Sequence, residues 1–166
     1  MLAIIQARMS SRRLPGKVLL PVEGRPVIGW VHTRLARAQH VDRLVVATSA
    51  HASDDPIVDY CREAGIDFYR GALHDVSERF EGCIRTKDAP SFIRISADSP
   101  LIDPEVVDAV AALFLSSECD VASNVQTRSY PKGQSVEALK SSLFIQERGN
   151  FRDVKDREHV TRYFYS

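Results

Sequence analysis

The sequence has 166 residues, of which 44% are apolar and 27% charged, ordinary values for a globular protein. Its 22 basic and 22 acidic residues cancel, so net charge gives no support for binding to nucleic acid or to a membrane surface. Three scattered cysteines without CxxC spacing argue against disulfides and zinc, and no apolar run is long enough to cross a membrane. We therefore expect a single domain over residues 1–166, located in the cytoplasm, with no nucleic-acid or membrane partner.

Short apolar runs alternate with amphipathic stretches along most of the chain. The runs predict strands, and the helical spacing of apolar residues between them predicts helices. The predicted strands are 2–5, 44–48, 67–70, 91–96 and 120–123, and the predicted helices are 27–39, 55–63, 75–84 and 103–115. Asp55 and Asp103 each precede a proline and are expected to cap their helices.

After Asn124 the pattern changes to a short strand over 135–139, a short helix over 141–147 and a terminal helix over 156–165. The regular alternation before it implies parallel pairing with right-handed crossovers. The predicted fold class is α/β, a three-layer αβα sandwich around a mainly parallel, Rossmann-like sheet.

A basic loop follows the first strand. It carries four cations, two serines and a turn glycine: Arg8, Ser10, Ser11, Arg12, Arg13, Gly16 and Lys17. Ligands of open α/β sheets bind outside the carboxyl ends of the strands, and arginine and lysine side chains bind phosphate. Neither a Walker loop nor GxGxxG is present, so phosphate would be held by these cations and by loop amides. The loop predicts a polyphosphate site, and the alternative is a solvated turn.

Asp98 follows the predicted strand 91–96 and, in a parallel sheet, lies at the same edge as the basic loop. A carboxylate there is suited to hold Mg²⁺, which bridges phosphates and offsets their charge. The alternative role of Asp98 is to cap the turn at Ser99. His159 could supply acid–base chemistry, and the alternative is an ordinary helix residue.

These motifs resemble those of the sugar cytidylyltransferases. Within them the sequence is most similar to the spore coat polysaccharide biosynthesis protein F group, which is related to the CMP-Kdo and CMP-acylneuraminate synthetases. The resemblance covers essentially the whole chain in consistent order. The matching segments are 4–11 (IIQARMSS), 13–17 (RLPGK), 45–49, 54–57, 69–71, 75–76, 94–104 (RISADSPLIDP), 123–125, 130–133 and 157–161 (REHVT).

The resemblance implies a fold of the nucleotide-diphospho-sugar transferase type. It also implies transfer of CMP from CTP to an acceptor sugar, with release of pyrophosphate, for surface polysaccharide synthesis. It makes Arg8, Lys17 and Asp98 catalytic, with Asp98 as the ligand of a Mg²⁺ cofactor. It assigns these residues to the nucleotide: Gln6, Ala7, Arg8, Ser10, Ser11, Arg13, Gly16, Lys17, Thr48 and Ser49. It assigns Asn124, Tyr130 and Glu137 to the acceptor sugar. A homodimer is expected on the same analogy.

The sequence departs from this family in two places. Ser135 stands where relatives usually carry an acidic residue, and serine is a poor substitute for a carboxylate around Mg²⁺. The chain also stops at Ser166, where relatives typically continue, so we expect a shortened member. Both features favour a second hypothesis, a catalytically weak relative that binds nucleotide or a partner protein.

The intact basic loop and Asp98 favour the enzyme instead. A glycosyltransferase of related fold ranks last, because its metal site usually needs Asp-x-Asp and the run Asp98-Ser99-Pro100 has one acid.

Overall fold

The computed structural model describes residues 1–11, 13–128 and 130–165. Its strands are β1 (Leu2–Gln6), β2 (Pro21–Val22), β3 (Arg25–Pro26), β4 (Arg43–Ser49), β5 (Phe68–Gly71), β6 (Ser91–Ser96), β7 (Val121–Ser123) and β8 (Glu137–Lys140). Its α-helices are α1 (Val27–Leu35), α2 (Asp55–Glu63), α3 (Val76–Lys87), α4 (Pro104–Ser116), α5 (Ser141–Glu147) and α6 (Val154–His159). Within the described ranges, every helix is too short or too polar to span a membrane.

Six strands form one sheet in the order β5-β4-β1-β6-β8-β7, and β2 pairs with β3 in a separate hairpin. β1 lies between β4 and β6 and is parallel to both. β8 is antiparallel to β6 and to β7. The prediction of a mainly parallel sheet is confirmed, but the fifth predicted strand, β7, pairs with β8 instead of a parallel neighbour.

The two faces of the sheet carry separate apolar clusters. Ala3 and Ile5 of β1 point to one cluster, together with buried residues of α1, α2 and α4. Leu2 and Ile4 point to the other, together with buried residues of α3 and α5, and α6 packs against α3. Alternate side chains of a strand face opposite sides, so a fully apolar β1 must be covered on both. The predicted three-layer αβα architecture is confirmed.

Three predicted details of the helices are wrong. Helix α1 ends at Leu35 instead of residue 39, and the backbone N–H groups of Gln39 and His40 donate to Asp108 instead of to helix carbonyls. The predicted terminal helix over 156–165 is instead α6 and a 3₁₀ turn over 162–165, separated by Val160 with φ of +52°. Asp55 does not cap α2.

The carboxylate of Asp55 instead accepts a hydrogen bond from Arg70, with 2.6 Å between Nη2 and Oδ1. At α4 the cap prediction is confirmed, since the Asp103 side chain accepts the N–H of Glu105 at 3.0 Å. Cys61 and Cys83 are fully buried, and burial raises the pKa of their thiols to about 11 and about 12. Both thiols therefore stay protonated and act as small core residues.

Candidate functional site

A cavity of about 450 Å³ opens at the carboxyl ends of β1 and β6. The chain leaves β1 towards β4 on one side, while β6 lies on the other side. Such a reversal of strand order is where open α/β sheets bind their ligands. The residues that line the cavity are Gln6, Arg8, Ser10, Ser11, Arg13, Lys17, Val18, Ser96, Asp98, Glu158 and His159.

The basic loop after β1 is held in place by backbone hydrogen bonds at both ends. Ala7 donates its N–H to the carbonyl of Ala47 in β4 at 3.0 Å. Gly16 donates to the carbonyl of Met9 at 2.8 Å and adopts φ of +72°, which favours glycine because it has no Cβ. The loop therefore returns on itself, and Lys17 faces the same cavity as Arg8.

Asp54 holds this loop against the end of β4 through hydrogen bonds to its side chain. It is fully buried, and its Oδ1 accepts the N–H of Met9 at 2.8 Å. Its Oδ2 accepts the hydroxyl of Ser49 at 2.5 Å and the N–H of Ser49 at 3.2 Å. Buried carboxylates need such partners because desolvation is costly. Ser49, predicted to bind the nucleotide, is thus buried and bonded to Asp54, and Thr48 beside it is also fully buried.

Lys17 and Asp98 form an ion pair across the cavity, so Asp98 lies at the same sheet edge as the basic loop, as predicted. Ser96 donates its hydroxyl to the other carboxylate oxygen at 2.6 Å. Partial burial of Asp98 raises its pKa, but the hydrogen bonds from Lys17 and Ser96 outweigh this effect, so the pKa lies below its usual value of 3.8. Asp98 is therefore ionised at neutral pH and available to a cation.

The lowered pKa of Asp98 predicts a pH-dependent contribution to stability. A carboxylate with a folded pKa below its unfolded pKa stabilises the protein fully above the unfolded value, and this contribution is lost as pH falls through the folded value. We expect the unfolding free energy of wild type minus that of Asp98→Asn to be constant above about pH 5 and to decrease below about pH 4. Urea unfolding at several pH values measures it, and a difference that grows on acidification would contradict the assignment.

Arg8 forms an ion pair with Glu158 of α6, with 3.0 Å between Nη2 and Oε1. Both residues line the first cavity and also a second one of about 580 Å³. The second cavity is lined by Arg8, Ser10, Ser11, Pro15, Leu73, His74, Val154 and Glu158. The two cavities therefore adjoin each other around the Arg8–Glu158 pair.

The residues predicted to contact an acceptor sugar lie elsewhere. The Asn124 side chain donates to the carbonyl of Gln134 at 2.7 Å and accepts the N–H of Val136 at 2.9 Å, so it shapes its own loop. Tyr130 is exposed. Glu137 is only 5% exposed and pairs with Arg94.

The structure brings seven of the predicted residues to the first cavity: Gln6, Arg8, Ser10, Ser11, Arg13, Lys17 and Asp98. It places seven others away from the lining of both cavities: Ala7, Gly16, Thr48, Ser49, Asn124, Tyr130 and Glu137. Arg12 lies outside the described residues. Sequence reasoning assigned no role in the site to Ser96, Glu158 or Asp54. All three stand inside segments that carry the family resemblance, which was the available signal.

The donor set around Asp98 suits Mg²⁺ with ligands shared by a substrate. Among the residues that the structure describes, no group of three or more His, Cys, Asp or Glu side chains could hold a metal ion. Mg²⁺ commonly uses one or two carboxylates together with substrate phosphates and water. A single ionised Asp98 facing a basic loop fits this mode and does not fit a site built from protein ligands alone.

A mainly parallel, Rossmann-like sheet with a basic loop and one carboxylate at its reversal point is typical of the nucleotidyltransferases. The profile of the cytidylyltransferase family matches residues 2–165. The chain belongs to the cytidylyltransferase family.

Relatives and solved structures agree with this assignment. The chain is 32% identical to the spore coat polysaccharide biosynthesis protein SpsF of Bacillus subtilis, over 98% of this chain and 68% of the relative. It is 36% identical to a 3-deoxy-manno-octulosonate cytidylyltransferase of Chlorobium phaeobacteroides, over 69% of this chain and 46% of the relative.

A solved cytidylyltransferase structure from Leptospira borgpetersenii superposes with a TM-score of 0.92 at 29% identity, covering 97% of this chain and 68% of that one. The chain spans about two thirds of the length of the first curated relatives that it matches.

Proposed function

We propose that this protein transfers a cytidylyl group from CTP to a sugar hydroxyl and releases pyrophosphate, in the synthesis of a surface polysaccharide. The observation that carries the proposal is the position of the basic loop opposite Asp98, across the cavity between β1 and β6. The family supports CTP as the donor in this proposal, and the names of the relatives support a sugar acceptor.

The first cavity supports binding of a triphosphate. The cations that line it in the described part of the chain are Arg8, Arg13 and Lys17. Arginine offers a planar fork that matches phosphate oxygens, and lysine offers a compact charge. The hydroxyls of Ser10 and Ser11 lie on the same wall and can donate further hydrogen bonds.

Mg²⁺, which the resemblance implies as cofactor, would be held by Asp98 together with the phosphates. When bound, it would offset the negative charge that develops on the phosphate oxygens. Lys17 now pairs with Asp98, and in the complex its ammonium group would contact the phosphates beside it. Ser96 keeps one oxygen of Asp98 oriented by its hydrogen bond.

The reaction itself needs positioning and charge compensation. An oxygen of the sugar hydroxyl forms a bond to the α-phosphorus as the bond from that phosphorus to the bridging oxygen breaks. Pyrophosphate leaves with the bridging oxygen, and the hydroxyl proton passes to solvent. Fixed cations that meet the developing charge lower the barrier without reorganising. In this proposal Arg8, Arg13 and Lys17, which line the cavity, would do this on the leaving-group side.

The second cavity supports placement of the nucleoside. Pro15, Leu73 and Val154 give it an apolar wall, and His74 adds a ring. A base fits such a wall by stacking and by apolar contact. The two cavities share Arg8 and Glu158, so one CTP molecule can occupy both at once.

Turnover with a panel of sugars tests the proposal. We expect pyrophosphate release when the protein is incubated with CTP, Mg²⁺ and the true acceptor, and much slower release with UTP. The panel contains 3-deoxy-manno-octulosonate, acylneuraminates and other acidic sugars, and a known cytidylyltransferase serves as the positive control. Tight CTP binding without release for any sugar would favour a binding protein and would contradict the enzyme.

A further inference from the structure

The Arg8–Glu158 ion pair joins two distant parts of the chain within the site. Arg8 lies in the loop after β1, and Glu158 lies in α6, 150 positions later. Their side chains are 39% and 40% exposed, so solvent and ligands can reach both. Each lines both cavities. A carboxylate therefore contacts the arginine that a phosphate group of the nucleotide would need.

The helix that carries Glu158 ends in an unusual turn. Val160 has φ of +52° and ψ of −56°, and Thr161 donates its N–H to the carbonyl of His159 at 2.5 Å. This is a γ-turn with a positive φ at its central residue, which is rare and strained, and more so at a β-branched side chain. Strain of this kind persists only where the surrounding structure enforces it, and it is frequent at functional sites.

The segment after the turn, residues 161–165, is anchored to the core. Thr161 donates its hydroxyl to Oε1 of Glu137 at 2.5 Å, and Tyr165 donates to the same oxygen at 2.9 Å. Glu137 also pairs with Arg94, whose Nε donates to Oε1 of Gln6 at 3.2 Å. Val160 itself is fully buried.

The helix before the turn, α6, is exposed, although it packs against α3 and pairs with Arg162 through Asp156. None of the six residues of α6, 154–159, is buried. The turn at Val160 thus separates an anchored segment from an exposed helix that contacts the phosphate-binding arginine. Because the Glu158 side chain is 40% exposed, a change in its conformation alone would release Arg8 without disturbing the core.

We propose that Glu158 binds Arg8 at the position that a phosphate group of the nucleotide would take. The triphosphate displaces Glu158 when it binds, and Glu158 pairs with Arg8 again when pyrophosphate leaves. The inference deepens the proposed function and rests on it, because it requires Arg8 to bind phosphate. Glu158 is then a positioning residue: it orients Arg8 before binding and competes with the product afterwards. This competition lowers the affinity for pyrophosphate and would therefore aid release of this highly charged product.

Binding of inorganic pyrophosphate and of Mg·CTP to Glu158→Gln tests the proposal. The substitution keeps the shape of the side chain and removes its charge. An exposed ion pair contributes little, so we expect on the order of two- to fivefold tighter binding of both ligands, with slower release of pyrophosphate. Calorimetry measures the affinities, and stopped-flow displacement measures the release rate.

Asp156→Asn is the matched control, since Asp156 lies on the same helix and pairs with Arg162 instead. It should leave both affinities unchanged. The gain should also vanish in the Arg8→Gln background, where Arg8→Gln and the double variant should bind pyrophosphate equally. Unchanged or weaker binding by Glu158→Gln, or an equal gain with Asp156→Asn, would overturn the proposal.

The proposed function can fail separately from this inference. If the wild type binds CTP and pyrophosphate but converts no sugar, only the transfer reaction is contradicted, and the affinity of Glu158→Gln still decides the role of Glu158. If neither wild type nor Glu158→Gln binds either ligand, both proposals are wrong.

Discussion

Asp98→Asn is expected to lower turnover by about 10²-fold, which corresponds to a barrier higher by roughly 3 kcal/mol. The amide keeps the size of the side chain but removes the charge that Mg²⁺ prefers in its ligands. It also ends the ion pair with Lys17. Binding of Mg·CTP should weaken, as measured by calorimetry at saturating Mg²⁺.

A titration with CTP in the absence of Mg²⁺ tests whether Asp98 acts through the metal. Without Mg²⁺, Asp98→Asn should bind CTP as well as the wild type or better, because Lys17 no longer shares its charge with a carboxylate. The matched control is Asp103→Asn, which removes a nearby acid that caps α4 and does not line the first cavity. Its Mg·CTP affinity should be unchanged. Equal affinity of wild type and Asp98→Asn for Mg·CTP would exclude Asp98 as the metal ligand.

Glu137→Gln is expected to lower the free energy of unfolding by about 3 kcal/mol, because removing one partner of a buried ion pair leaves the other charge uncompensated. Glu137 pairs with Arg94, whose side chain is only 20% exposed. The carboxylate also accepts hydrogen bonds from Thr161 and Tyr165. Urea unfolding measures the loss.

Asp120→Asn provides the comparison, since Asp120 and Lys140 form an exposed pair with 2.7 Å between Oδ1 and Nζ. It should cost less than about 1 kcal/mol. A similar loss for both variants would show that the Glu137 pair is effectively solvated. The folded Glu137→Gln variant also tests the predicted role at the acceptor. An unchanged acceptor KM would assign Glu137 to the anchoring of Thr161, and a raised KM would assign it to the sugar.

The order of strands and helices up to α4 could be predicted because it depends on local patterns. Apolar runs such as Leu2–Ile5 favour a strand where they stand, and the proline after Asp103 favours the start of a helix at its own position. The insertion of β8 between β6 and β7 could not be predicted in this way. Strand order depends on contacts between residues far apart in the chain, and a short strand such as Glu137–Lys140 does not specify its neighbours.

The sequence by itself determined the strand–loop–Asp98 part of the site. Residue type gives Arg8 and Lys17 the charge on which the proposed phosphate site depends, and parallel strands bring Asp98 to the same edge. The tertiary structure alone decided that Glu158 meets Arg8 and that Asp54 supports the loop. It also decided that Glu137 lies in the core. These contacts join residues 24 to 150 positions apart, and their geometry is set by how the chain packs around β1.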